Sequence, residues 1–285
     1  MSKEVGPQII EQIIELKKRG LHISEIASRF NISDSTVLKY SQHIPHPNKK
    51  SLIPLPDSAK GLSIKKAEIL GFLCSEGNDN NFIDNHIEYD KRRKKLYVRN
   101  MNKQWINFSN TDLAILKRFL YLMEMVYDYP LRYFKKGTVY IKRKEVVKDL
   151  RRYSLFGSRR WSVPKELFKK QYRNQAKRFI RAYFDGDGSV DYKWNKRITL
   201  DSVNKNSLSK LNKLLLHLGI STRYYIYKNR SRITIKDVIK YKKTIGFFHL
   251  KKKEKLEYLT KVAYMGSKKR RSPRVRNSLP LKGGI

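Results

Sequence analysis

Apolar positions recur along this chain in two rhythms, one near 3.6 residues and one near 2, and the switches between them lay out its elements. Residues 7–20 set Ile9, Ile10, Ile13, Ile14 and Leu16 at helical spacing, with Pro7 suited to a first turn and Gly20 to a stop. A second short helix is predicted over 24–30 with Ser24 as its N-cap, and Asn31 can take the positive φ of the turn that follows. A third is predicted over 34–43 with Ser33 as its cap. Residues 44–62 hold Pro45, Pro47, Pro54 and Pro56 and read as a semi-stiff linker. Beyond it, core spacing of Leu, Ile and Met predicts helices over 112–125 and 206–218. Strand-like pieces fall at 87–89, 96–98 and 105–108, hairpins at 131–143 and 223–235, and a last, lysine-studded helix at 250–264.

The pattern after the linker occurs twice. In residues 179–190, Phe179, Ala182, Tyr183 and Phe184 lie at helical spacing and the run stops on Asp185, Gly186, Asp187 and Gly188. Gly188 suits the left-handed residue just past a helix end. Two carboxylates therefore fall in the last turn, where the helix macrodipole disfavours them, and a hard divalent cation is the usual compensation. Residues 67–78 carry the same stretch 111 residues earlier: Gly77 aligns with Gly188, Glu76 with Asp187, Ser75 with Gly186, Cys74 with Asp185 and Gly71 with Ala182. The flanks repeat as well, 106–112 echoing 198–204 and 131–141 echoing 222–235. Each half reads as helix, two strands, helix, two strands, helix, one unit of about 100 residues made twice.

At these positions the chain resembles the LAGLIDADG homing endonucleases, in the form with two motif copies in one polypeptide. The resemblance implies an α+β fold: a pseudo-two-fold αββαββα core whose curved antiparallel sheets form a saddle for double-stranded DNA. The motif helices would pack side by side, with Gly71 and Ala182 small enough for close approach. The last acids, Glu76 and Asp187, would hold metal at the saddle floor, with Ser75 and Gly186 beside them, and cuts would leave 3′ overhangs. Two or three magnesium ions, replaceable by manganese, suit all-oxygen ligands and phosphodiester hydrolysis. A basic residue near the hairpin turns, Lys135 or Lys136 in one half and Lys228 in the other, would assist at the scissile phosphate. The sequence departs from the family in having Cys74 for a largely structural first acid and Glu76 for Asp, which adds a methylene at one metal position.

Charge supports a polyanionic partner. The 285 residues carry a formal +39, about +1 of it in residues 1–47 and +7 in 266–285, so the duplicated middle holds most of it. No apolar run approaches a membrane span, no signal peptide is visible, and a single cysteine excludes an internal disulfide and Cys/His zinc clusters. These traits fit a monomer in the cytoplasm, associated with the nucleoid when bound to DNA. DNA-contact candidates on the first ribbon are Arg92, Arg93, Lys94, Lys95, Arg99 and Lys103. The shorter second ribbon offers Lys193, Lys196 and Arg197. Ile26, Ala27, Asn31, Ile32 and Val37 resemble a helix-turn-helix of the recombinase and transposase kind, which would present Ser35, Thr36 and Lys39 to a major groove.

The expected organisation is a helix-turn-helix over 1–47, a linker over 48–62, two halves over 63–168 and 169–265, and a basic tail over 266–285. The chain lacks evident intein splicing blocks, which favours a free-standing or intron-encoded nuclease. The alternative is a DNA-binding regulator or RNA-splicing maturase on the same scaffold.

Overall fold

The computed structural model describes residues 5–42, 44, 54–90, 95–134 and 137–269. Arg92, Arg93, Lys94, Lys135 and Lys136 lie outside the described residues, as do residues 45–53 and 270–285, and the side chains of Lys95 and Arg99 are not described either.

Three helices open the chain: α1 (Pro7–Lys18), α2 (Ile23–Phe30) and α3 (Asp34–Ser41). They close on their own core of Ile13, Leu16, Leu21, Ile26, Ala27 and Val37. Ser33 caps α3, accepting the Thr36 N–H at 3.1 Å, and Asn31 takes φ 52° in the turn. The cap of α2 is His22 and not Ser24. Glu25 reaches back to the His22 N–H at 2.9 Å, so the cap stands two residues before the serine.

The rest is a duplicated unit. The first half runs α4 (Ile64–Glu76), β1 (Gly77–Asp90), β2 (Lys95–Ser109), α5 (Leu113–Tyr127), β3 (Tyr133–Phe134), β4 (Thr138–Ile141) and α6 (Lys144–Arg151). The second runs α7 (Arg173–Asp187), β5 (Ser189–Asp191), β6 (Arg197–Ser202), α8 (Lys205–His217), β7 (Arg223–Ile226), β8 (Ser231–Ile235) and α9 (Val238–Thr244), followed by α10 (Leu250–Lys269). Each half makes a four-stranded antiparallel sheet, ordered β1-β2-β4-β3 and β5-β6-β8-β7. The identical order is the αββαββα duplication expected from the repeat.

One apolar core runs through both halves. Ile106 and Phe108 on β2 and Ile198 and Leu200 on β6 point inward, and Phe108 stacks on Phe119 of α5 at 4.2 Å between centroids. Leu208, Leu211, Leu214 and Leu215 of α8 are buried in the same way in the second half. α4 is buried from Lys66 to Cys74, so it is a central helix apolar nearly all round. The exceptions are Lys66 and Glu68: Lys66 donates to Asp149 at 2.7 Å, Asp149 also accepts from the Tyr127 hydroxyl at 2.8 Å, and Glu68 accepts from Arg118 at 2.9 Å, so each buried charge is paired and hydrogen-bonded.

The amino-terminal helices sit on the first half. Arg29 pairs with Asp128, the left-handed cap of α5, and Arg132 donates to the Ile32 carbonyl at 3.4 Å. A cleft of about 480 Å³ lies between them, lined by His22 and Glu25 on one side and Tyr129 and Arg143 on the other.

Two further expectations change. β1 and β2 are continuous strands of 14 and 15 residues and not short pieces. Asn78, Asp79, Asn80 and Asn81 give β1 no apolar alternation, so period-two reading misses its first half. Gly188 is also not left-handed: its φ is −70°, and Gly77 has −87°. Both glycines are required by crowding, because the strand leaves the helix so sharply. A Cβ on Gly188 would lie 2.6 Å from the Phe184 carbonyl oxygen, and one on Gly77 would be 2.9 Å from Leu73 Cα.

Candidate metal and nucleic-acid site

The site is made by the crossing of α4 and α7, and the crossing is made by small residues. A Cβ on Gly71 would come within 2.8 Å of the Ala182 Cβ and collide with the Phe179 carbonyl oxygen. A Cβ on Gly186 would fall 2.8 Å from the Ser75 Cβ and 3.1 Å from the Glu76 Cγ. Gly71 meets Ala182 and Ser75 meets Gly186, so positions equivalent in the repeat touch each other across the helix pair. The next residues along, Glu76 and Asp187, therefore emerge side by side.

Their electrostatics report the proximity. Burial first, and then the Glu76 charge, push the Asp187 carboxyl up to about 7, against a Tyr183 hydrogen bond and the Lys252 ammonium. Burial likewise raises Glu76, again against Lys252. Asp187 is nonetheless exposed and Glu76 half-buried, so both carboxylates can be reached from solvent. An exposed carboxylate flanked by protein and by a second acid pays a desolvation and repulsion cost that a cation would relieve.

The first acid of the second motif does something else. Asp185 accepts the Phe248 N–H at 3.0 Å and the His249 N–H at 3.0 Å, which seats the start of α10. Burial raises its carboxyl to about 7. Its counterpart Cys74 is a buried thiol 3.5 Å from the Ser154 hydroxyl, pushed up to about 12 by burial, and so stays neutral. Neither group faces solvent as the last acids do.

The remaining expected residues spread out. Lys228 is exposed in the turn after β7, where its carbonyl accepts from Lys205 Nζ at 2.8 Å, and no described interaction joins it to the acids. Lys193 and Lys196 are exposed on the β5–β6 turn, Arg197 is half-buried at its base, and Lys103 is exposed on β2. On α3, Ser35 and Lys39 are exposed, while Thr36 is half-buried with its hydroxyl 2.7 Å from Ser33 Oγ in the cap. Among the described residues no group of three or more His, Cys, Asp or Glu could hold a metal, and the acid pair stands as two carboxylates.

Two residues at the site escaped sequence reasoning. Tyr183, counted only as an apolar helix position, hydrogen-bonds Asp187 from a buried ring 4.6 Å from Trp161. Its counterpart is Phe72, which has no hydroxyl to offer Glu76. Lys252 lies inside the run Lys251, Lys252, Lys253, where nothing separates a buried ammonium from solvated ones.

Fold and site together define a class: an α+β protein duplicated about a pair of central helices, with one acid from each helix tip brought to a shared place. Residues 174–251 match the family model described as "LAGLIDADG-like domain". The first half repeats the element order and motif register of that segment. A DNA polymerase of Thermococcus kodakarensis is 28% identical over 204 residues, which is 66% of this chain and 11% of that protein. Replication factor C small subunit of Methanocaldococcus jannaschii is 29% identical over 167 residues, 53% of this chain and 9% of that protein. The chain thus spans about a tenth of the length of these curated relatives. Among solved structures, I-DmoI in complex with DNA and Mn is similar at a TM-score of 0.47 and 16% identity, covering 65% of this chain and 97% of that one.

Proposed function

We propose that the protein is a sequence-specific endonuclease of the homing type that hydrolyses double-stranded DNA with divalent metal held by Glu76 and Asp187. The observation that carries this reading is the meeting of two acids, 111 residues apart in sequence, at paired helix tips where each is disfavoured without a cation. The donor set fits magnesium or manganese, hard ions that take oxygen ligands, keep waters and need only one or two carboxylates alongside substrate phosphates. Metal bound there would neutralise the phosphoryl charge and acidify an attacking water.

The chain's own groups have distinct tasks. Glu76 and Asp187 supply carboxylate oxygens, and the Tyr183 hydroxyl favours the ionised form of Asp187. Ser75 and Gly186 keep the tips close. Lys103, Lys193, Lys196 and Arg197 would contact phosphates, which position the duplex without reading it. Lys39 and Ser35 would add base contacts from α3. The 3′ overhangs and the one-chain working unit follow from the family resemblance.

Incubation with a plasmid library and magnesium tests the reading. The expected result is discrete cuts with 3′ overhangs that disappear in Asp187→Asn. Tight, specific DNA binding with no cuts at any divalent ion would favour a regulator on the same scaffold, a role the seated helix-turn-helix also suits.

A further inference from the structure

The two helix tips that the repeat makes equivalent are not equivalent in charge. Lys252, near the start of α10, donates its ammonium to three carbonyl oxygens at the end of α7: Phe184 at 3.1 Å, Asp185 at 2.6 Å and Gly186 at 2.7 Å. Those are all three of its protons, spent on the orphan carbonyls of one helix end. The Asp185 carboxylate holds the Phe248 and His249 N–H groups, so the acid of the motif also sets where α10 begins and where Lys252 stands. The same ammonium interacts favourably with Asp185, Asp187 and Glu76.

Among the described residues the first half has no such device. After α6 its chain runs through the 3₁₀ turns Lys165–Phe168 and Lys170–Tyr172 into α7, with no counterpart of α10. The end of α4 is closed by its own residues, Ser75 Oγ donating to the Phe72 carbonyl at 3.0 Å and the Gly77 N–H to Leu73. The carbonyls of one tip therefore hold a fixed positive charge, and those of the other hold none among the described contacts.

We propose that Lys252 is a resident cation of the acid pair. It occupies the Gly186 carbonyl, sets a positive charge that acts on Asp187 before any metal arrives, and confines tight divalent binding in the DNA-free protein to the Glu76 side. This rests on the reading that the acid pair binds metal, and it goes further in making the two halves unequal. A fixed charge next to Asp187 opposes a second cation by Coulomb repulsion and satisfies a carbonyl oxygen that would otherwise be free to coordinate one. Lys252 touches no substrate; it is a positioning residue.

Titration of Mn²⁺ into the DNA-free full chain, followed by calorimetry and by the loss of the free-ion electron-spin signal, tests this. Lys252→Gln keeps hydrogen-bond donors but removes the charge. It is expected to bind Mn²⁺ about tenfold or more tighter, with an added second site, while melting at a lower temperature. Lys252→Arg keeps the charge and should bind Mn²⁺ as the wild type does. A lysine that only caps the helix would lower the melting temperature in Lys252→Gln and leave Mn²⁺ affinity unchanged or weaker, and that result overturns the proposal. Should Lys252→Gln fail to fold, the wild-type background decides. Glu76→Gln should abolish the tight Mn²⁺ site and Asp187→Asn only weaken it, whereas equal loss or the reverse order refutes the assignment. Unchanged affinity with DNA cleavage intact would remove the role of Lys252 alone. Absence of Mn²⁺ binding in every variant would remove the metal reading with it.

Discussion

At the scale of single residues, the proposed metal site is a place where protons and a metal ion would compete. Asp187 and Asp185 have carboxyls at about 7 in the folded chain, against about 3.9 for an unfolded aspartate. The folded state thus binds more protons than the unfolded one between those values, and stability falls as pH rises through that window. Lowering the pH restores it, the reverse of the usual salt-bridged aspartate. We expect Asp187→Asn, measured by calorimetry in chelator, to melt higher than the wild type at about pH 8 and to converge with it toward about pH 4. A difference that grows on acidification would show that Asp187 is stabilised as the anion. Magnesium should raise the wild-type melting temperature at pH 8 by mass action and leave Asp187→Asn less affected. Tyr183 adds an asymmetry of the same kind, since a hydroxyl donates to Asp187 where Phe72 leaves Glu76 without one.

At the scale of elements, everything depends on how closely α4 and α7 cross. Gly71→Leu must push a branched side chain into the Phe179 backbone, where no rotamer escape exists. We expect a loss of at least about 1–3 kcal/mol in denaturant unfolding, since overpacking against backbone cannot be relieved by repacking. Wild-type stability in that variant would mean the helices are not in the contact described. The β5–β6 turn offers a second test. Asp191 accepts from the Trp194 and Asn195 N–H groups at 3.1 and 3.2 Å and from the Asn195 amide at 2.7 Å, closing a turn that leaves Trp194 87% exposed. An exposed indole on this closed turn, between Lys193 and Lys196, is placed to meet a bound duplex. Duplex DNA should quench tryptophan fluorescence in the wild type and much less in Trp194→Phe, the other two indoles being Trp105 and the buried Trp161. The helix pair and the repeat were legible because helix crossing imposes small residues at fixed spacing and burial imposes apolar ones. The first half of β1 was not, because four polar residues in a row leave no periodic trace. Lys252 was hidden for a different reason: its burial is decided by Asp185, 67 residues away, and not by its neighbours.

At the scale of the whole molecule, the division of charge separates two ways of meeting DNA. Nearly all of the +39 lies outside residues 1–47, yet those residues carry the helices seated on the first half through Arg29 and Asp128. A charged core should supply affinity through counterion release, and the near-neutral amino-terminal helices can then contribute mainly base discrimination. The two contributions have different salt signatures. Each phosphate contact adds about 0.9 to the slope of log affinity against log salt, so Lys193→Ala with Lys196→Ala should flatten it by about 2 and weaken all sequences alike. Ser35→Ala with Lys39→Ala should change the slope by at most about 1 while compressing the difference between preferred and random duplexes. Asp128→Ala, which leaves every proposed DNA contact in place and removes the seat of Arg29, should compress that difference too, because a tethered reader without a fixed position cannot add its contacts to those of the core. A slope that fell in the α3 variant as much as in the ribbon variant would instead make the amino-terminal helices one more phosphate grip. Full discrimination kept in Asp128→Ala would mean that the seat does not matter for recognition.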